Sequence, residues 1–244
     1  MKKFLLILLI VIVIIVVAIV LILGYFGFVP GVSTLFGSDK PRDLGVTWTP
    51  EDYKAANTKT AVEIKTLTGD VTPATSIKLS TTTHPANVTL SSNELTAVIN
   101  NNQNNWKYFP VSNVQVKINT DGSAQMSGML NLGRLAGYAV ATGASYGDIE
   151  TVMNKFNLLP QTVPFFVSAT PSVSNNSATM NIGKAELGRI PIPQDLINDN
   201  GGAINGFFTQ QINAFPGFST KSANFAGGKL NFDGILHDSI ETYK

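Results

Sequence analysis

Residues 114–130 read VQVKINTDGSAQMSGML, and this stretch decides the fold. Val114, Val116 and Ile118 alternate with Gln115, Lys117 and Asn119, the period of a strand with one buried and one wet face. Thr120-Asp121-Gly122-Ser123 follows as a turn, with the Asp121 side chain suited to cap its own backbone, and AQMSGML runs back. The expectation is a β-hairpin whose apolar face needs a cover.

Upstream, LSSNELTAVIN (90–100) offers that cover. Ser91 and Glu94 have capping-box spacing, and Leu95, Val98 and Ile99 then share one helical face, so a helix is expected that ends in the polar run NNNQNN. Thr49-Pro50-Glu51-Asp52 opens an earlier helix through about Asn57. Between the two, the Thr-rich segments SIKLSTTT and ANVTL favour one or two strands.

Downstream the same material recurs. Ile149, Val152, Met153 and Phe156 form the stripe of a helix over Tyr146 to Leu158, with Asp148 and Glu150 as first-turn acids. VPFFVSAT (163–170) and SATMNIGKAEL (177–187) are strands joined across Asn175-Asn176. Pro191-Ile192-Pro193 leads into a helix near Gln194–Phe215 that Gly201-Gly202 interrupts. STKSANFA (219–226), Gly227-Gly228 and KLNFDGIL (229–236) make a third hairpin. The expected fold class is α+β: an N-terminal transmembrane helix, then an antiparallel sheet of successive hairpins packed on amphipathic helices.

Phe4 to Leu23 carries that first element, FLLILLIVIVIIVVAIVLIL, without a charge or a polar side chain. At ~1.5 Å per residue it covers roughly 30 Å, the thickness of bilayer hydrocarbon. Lys2 and Lys3 precede it and the first basic residue after it is Lys40, which places the N-terminus in the cytoplasm. A cleaved signal peptide is the alternative, but the apolar run is long and no small-x-small site follows. The expected division is an anchor over 1–30, a juxtamembrane tether over 31–44 and one extracytoplasmic domain over 45–244 at the cytoplasmic membrane.

Composition excludes several functions. Of 244 residues 14% are charged and the net charge is +1, which lacks the basic footprint of a nucleic-acid binder. The absence of Cys removes zinc-thiolate sites and thiol nucleophiles. His84 and His237, the only histidines, have no metal-ligand spacing and read as loop or surface residues. Lys184 and Glu186 read as the polar face of a strand. NLGRLAG (131–137) fits neither phosphate-loop pattern. No catalytic residue, metal or cofactor is expected. Asn87-Val88-Thr89 and Asn175-Asn176-Ser177 match the glycosylation pattern.

A curved sheet clasping a helix either closes tightly or leaves an apolar groove suited to an acyl chain. Phenylalanines concentrate in the second half of the chain, and Ile204, Phe207, Phe208 and Ile212 on the late helix are the residues expected to line such a groove.

The anchor, LSSNELTAVIN, VQVKINTDGSAQMSGML, AELGRIPIP and GGKLNFDGIL follow an order that resembles the YpmS-like membrane-anchored extracytoplasmic proteins, and more distantly the LmeA-like periplasmic lipid-binding proteins, over residues 90–237. The resemblance implies a non-enzymatic role in handling envelope lipid through a tubular lipid-binding type of fold. It carries over no individual binding residue. The expected function is binding of membrane lipid or another apolar ligand. The alternative is a structural or interaction module that binds cell-wall glycan or a protein partner.

Overall fold

The computed structural model describes residues 2–27, 29, 31–143 and 161–244. Its architecture is α+β, with a curled, mainly antiparallel sheet. The expected hairpin lies at one end of the larger sheet and pairs β4 (Val111–Ile118) with β5 (Ala124–Asn131). At its turn, Asp121 Oδ1 accepts the Ser123 N–H at 2.9 Å and the Ser123 hydroxyl at 2.7 Å.

The second hairpin joins β6 (Thr162–Ser174) to β7 (Ser177–Leu187), and the third joins β9 (Ser219–Ala226) to β10 (Lys229–His237). Strand β6 organises the sheet because its two edges are used differently. One edge carries β7, extended by the short β8 (Ile190–Pro191). The other is shared by β5, from Thr162 to Ala169, and β9, from Ser172 to Ser174. Beyond β9 and β10 lies β3 (Thr83–Ser91). A smaller sheet sets β11 (Ser239–Tyr243) between β1 (Glu63–Leu67), which is parallel to it, and β2 (Ile77–Leu79).

Local chemistry explains the early helices. The helix α3 (Pro50–Thr60) starts on a Thr49/Asp52 capping box and α4 (Ser92–Asn105) on the Ser91/Glu94 box. As expected, α4 ends in NNNQNN, at Asn105, and within that run Asn100 is buried and bonded to the neighbouring strand. An unanticipated helix, α5 (Leu132–Ala141), occupies the NLGRLAG stretch, with Gly137 close against the Tyr108 ring. The helix expected over 146–158, with Asp148 and Glu150, lies outside the described residues. The late helix is two pieces, α6 (Gln194–Asp199) and α7 (Gly201–Asn213), broken at Asn200 beside the two glycines.

The core sits where α4 lies along β4. Leu95 and Ile99 pack on Val114, Val116 and Ile118. The same helix closes the free edge of the strand: Ser92 Oγ, Thr96 Oγ1 and Asn100 Oδ1 accept the N–H groups of Ile118, Val116 and Val114, each at 3.0 Å. The registers match because four helical residues advance about 6 Å and two strand residues about 6.7 Å. An edge that would otherwise invite another chain is thereby satisfied.

At the N-terminus, α1 (Lys2–Tyr25) is followed by α2 (Val32–Leu35), whose Val32 presses against Gly24. Side chains of α1 are described from Val11 onward, and among the described residues no helix is long and apolar enough to cross a membrane. Residues 31–44, read as a tether, are fastened to the sheet. Arg42 donates to both carboxylate oxygens of Glu186, at 2.8 and 2.9 Å, and its guanidinium lies 5.2 Å from the Phe166 ring centre. Lys184 pairs with Glu186 at 2.9 Å. Glu186, expected on a wet strand face, is therefore buried with its side chain 4% exposed, because Arg42 covers it. Burial pushes its pKa up, but the bonds from Lys184 and Arg42 outweigh that and hold it below the ordinary carboxylate value. Nearby, Gly188 has φ +65° and its Cα faces the Phe26 carbonyl where a Cβ would collide.

Candidate functional site

The α6–α7 pair lies along β7 as α4 lies along β4. Asn205 Oδ1 accepts the Met180 N–H at 2.8 Å and Thr209 Oγ1 accepts the Ala178 N–H at 3.0 Å. Asn213 Nδ2 reaches the Asn176 carbonyl at 3.5 Å, and Gln194 Nε2 donates to the Ile182 carbonyl at 3.1 Å. Again the helix advances by four residues where the strand advances by two.

Both helices carry the same motif in the same place. Thr96–Asn100 reads TAVIN and Thr209–Asn213 reads TQQIN, and each helix precedes a hairpin, β4–β5 or β9–β10. This internal repeat was present in the sequence as Thr-x-x-Ile-Asn and is the signal that the strand-by-strand reading missed. The two copies differ in how their apolar faces are filled. In the first, Leu95 and Ile99 are packed on the core. In the second, Phe208 and Ile212 occupy the equivalent positions and line a cavity of about 410 Å³.

Pro171 and Val173 of β6, Ala178 and Met180 of β7, and Phe215 and Phe218 after α7 complete most of the wall, with Ile77, Leu79 and Ile240 of the small sheet at its far side. The surface is almost entirely carbon, and among the described residues no Asp, Glu, Lys or Arg lines it. What such a site does is desolvation: it removes hydrocarbon from water at about 25 cal/mol per Å².

Of the four residues expected in a groove, Phe208 and Ile212 are therefore in this one. Ile204, one turn earlier, lines a neighbouring chamber, and Phe207 lines neither. Phe207 is turned outward, 46% exposed, with its ring edge-on to Phe208 at 5.5 Å. Helical geometry sorts them: Ile204, Phe208 and Ile212 are four residues apart on one stripe, and Phe207 is beside it. The neighbouring chamber is about 540 Å³ and lies between β6–β7 and the α6–α7 junction. It shares Met180 with the apolar cavity, but its lining includes Ser168, Thr170, Asn181, Asn198 and Asn205.

The histidines are not surface residues. His237 is 6% exposed, and its ring forms part of the cavity wall. Its Nδ1–H donates to the Ser80 carbonyl at 2.8 Å. His84 lies in β3 with Nδ1 at 2.7 Å from Asp238 and Nε2 at 2.8 Å from the Thr60 carbonyl. Two acceptors require two N–H groups, so the ring is an imidazolium, and the Asp238 carboxylate and the Thr60 carbonyl raise its pKa above 6.5. The pair ties the end of α3 to the sheet. Among the described residues, no three His, Asp or Glu side chains gather to hold a metal. No protein-family model matches this chain, no curated protein is significantly similar to it, and no solved structure matches it.

Proposed function

We propose that this chain is a membrane-anchored, non-enzymatic, extracytoplasmic lipid-binding protein, with α1 crossing the cytoplasmic membrane and its N-terminus in the cytoplasm. One observation carries the lipid reading: the second Thr-x-x-Ile-Asn unit encloses an apolar cavity where the first is filled by its own side chains. A volume of about 410 Å³ falls in the range of small-molecule sites. The anchor reading is supported by the twenty apolar residues from Phe4 to Leu23. Within them, Val11–Val17 and Ile19–Leu23 are exposed around the helix, as lipid-facing side chains are. Tyr25, Phe26 and Phe36 cluster at its end, with ring centres 5.5 and 5.9 Å apart, in the place of an interfacial aromatic belt. The YpmS-like order of segments agrees with this role.

Native mass spectrometry of the full chain released from nanodiscs tests the lipid reading. The expected result is co-released lipid that Phe208→Asp removes, and a ligand-free spectrum from the folded wild type refutes it. Protease shaving of intact cells tests the topology: digestion of the 45–244 domain from outside is expected, and full protection refutes it.

A second reading, an envelope module that binds glycan, is favoured by Trp48. Its indole is 38% exposed beside a cleft lined by Gln103, Asn104 and Asn113, an aromatic face next to amides. Trp48→Ala is expected to abolish pull-down on insoluble cell wall if this surface is the binding site, and an unchanged pull-down refutes it.

A further inference from the structure

The apolar cavity is one end of a trough in which an amphiphile has two different places to put its two parts. From Gly201, at the wall of the polar chamber, to Phe215, at the wall of the apolar one, the chain of α7 and its last turn advances about 20 Å. Met180 stands between the two chambers, its N–H held by Asn205. On one side the wall is carbon. On the other it offers hydroxyls and carboxamides, groups that both donate and accept.

Among the described residues, no ionisable side chain lines the polar chamber. The cation closest to it in sequence, Lys184, is held by Glu186 at 2.9 Å. A phosphate or carboxylate placed against this wall would lose part of its hydration without gaining a counter-charge, and an ammonium would do the same. Sugar or glycerol hydroxyls meet no such cost. They exchange water for amides and hydroxyls of their own kind, and Asn205 keeps its Nδ2 for this while its Oδ1 serves Met180.

We infer that the ligand is an alkyl-chain amphiphile with an uncharged, polyhydroxylated head, the chain lying in the apolar cavity and a glycosyl or glyceryl head beside Ser168, Thr170 and Asn205. This rests on the lipid-binding reading above and adds the chemistry of the head.

The test uses the full chain in phosphatidylcholine nanodiscs and four photoreactive probes of one chain length: dodecyl glucoside, dodecyl phosphate, dodecyl trimethylammonium and dodecane. Labelling is read by mass spectrometry on the peptides of β7 and α7. The glucoside is expected to label at least tenfold more than any of the other three at equal concentration. In Ser168→Ala/Thr170→Val, which keeps Asn205 and the edge bonds, its labelling is expected to fall to that of dodecane, with dodecane itself unchanged. Equal labelling by all four probes, or preference for a charged head, overturns the inference and leaves chain binding standing. Absence of labelling by every probe overturns the lipid-binding reading itself.

Discussion

Phe208→Asp separates folding from ligand binding. Phe208 is 39% exposed, so about 60% of its surface is covered. Full burial of such a ring is worth about 1.5–3 kcal/mol, which limits the loss of stability to roughly 1–2 kcal/mol. For a chain of this size that lowers the melting temperature by about 2–8 °C and leaves the protein folded at 25 °C. A bound chain loses more. Contact with the ring covers on the order of 60–80 Å² of hydrocarbon, worth about 1.5–2 kcal/mol, and the carboxylate must also be kept hydrated against an apolar wall. At about 1.4 kcal/mol per factor of ten, affinity falls at least about tenfold. The assay is the concentration of photoreactive dodecane giving half-maximal labelling of the full chain, beside a thermal melt. Phe207→Asp is the control, because that side chain faces out, and its midpoint should move less than threefold. A folded Phe208→Asp protein with the wild-type midpoint would refute a ligand site beneath α7.

Three further outcomes follow from other contacts. Thr96→Val leaves the buried Val116 N–H without its acceptor and should cost about 1–3 kcal/mol in urea unfolding. The equivalent Thr209→Val breaks a bond to the Ala178 N–H that is only partly buried, so it should cost less than the Thr96 change, and equal costs would contradict the difference in packing between the two copies. The raised pKa of His84 means its stabilising contribution is complete below the ordinary value of 6.5 and is lost as pH climbs through the higher folded value. The wild-type melting temperature should therefore drop more across that window than that of His84→Gln, and parallel curves would count against the imidazolium. Arg42→Ala removes the two bonds to Glu186, and faster hydrogen exchange over residues 37–44 is expected, with unchanged exchange disproving the fastening.

What the sequence revealed was local. Capping boxes at Thr49 and Ser91, the Thr-Asp-Gly-Ser turn and the alternation in 114–119 each depend on residues within a few positions, and each is present in the structure. Partners distant in the chain were not legible. The parallel pairing of Glu63–Leu67 with Ser239–Tyr243 carries no local signal, since either segment alone is a short polar strand. Glu186 looked wet because its cover, Arg42, comes from a segment that composition marks as a linker. His237 is the last residue of a hairpin strand, and it is buried because the chain continues at once into β11. At the site, the i, i+4 spacing on α7 gave Phe208 and Ile212, but a Phe-Phe pair has no periodicity to show which ring turns in.

The close approach of Gly188 to the Phe26 carbonyl also sets a direction. The Gly188 N–H meets the Pro164 carbonyl, so this corner is the end of the β6–β7 ribbon nearest α1. From Pro164 to Ser172 the strand advances about 26 Å, which puts the polar chamber nearer α1 and the carbon-walled one farther from it. With α1 in a bilayer, an amphiphile in this trough would point its tail away from the membrane that holds the protein, the reverse of its posture in the outer leaflet. Loading from that leaflet then requires the molecule to leave the bilayer and turn over, at about 0.8 kcal/mol for each methylene exposed on the way. Uptake should slow steeply with chain length even where equilibrium affinity rises with it, so the protein would select its cargo by how readily a lipid leaves its membrane.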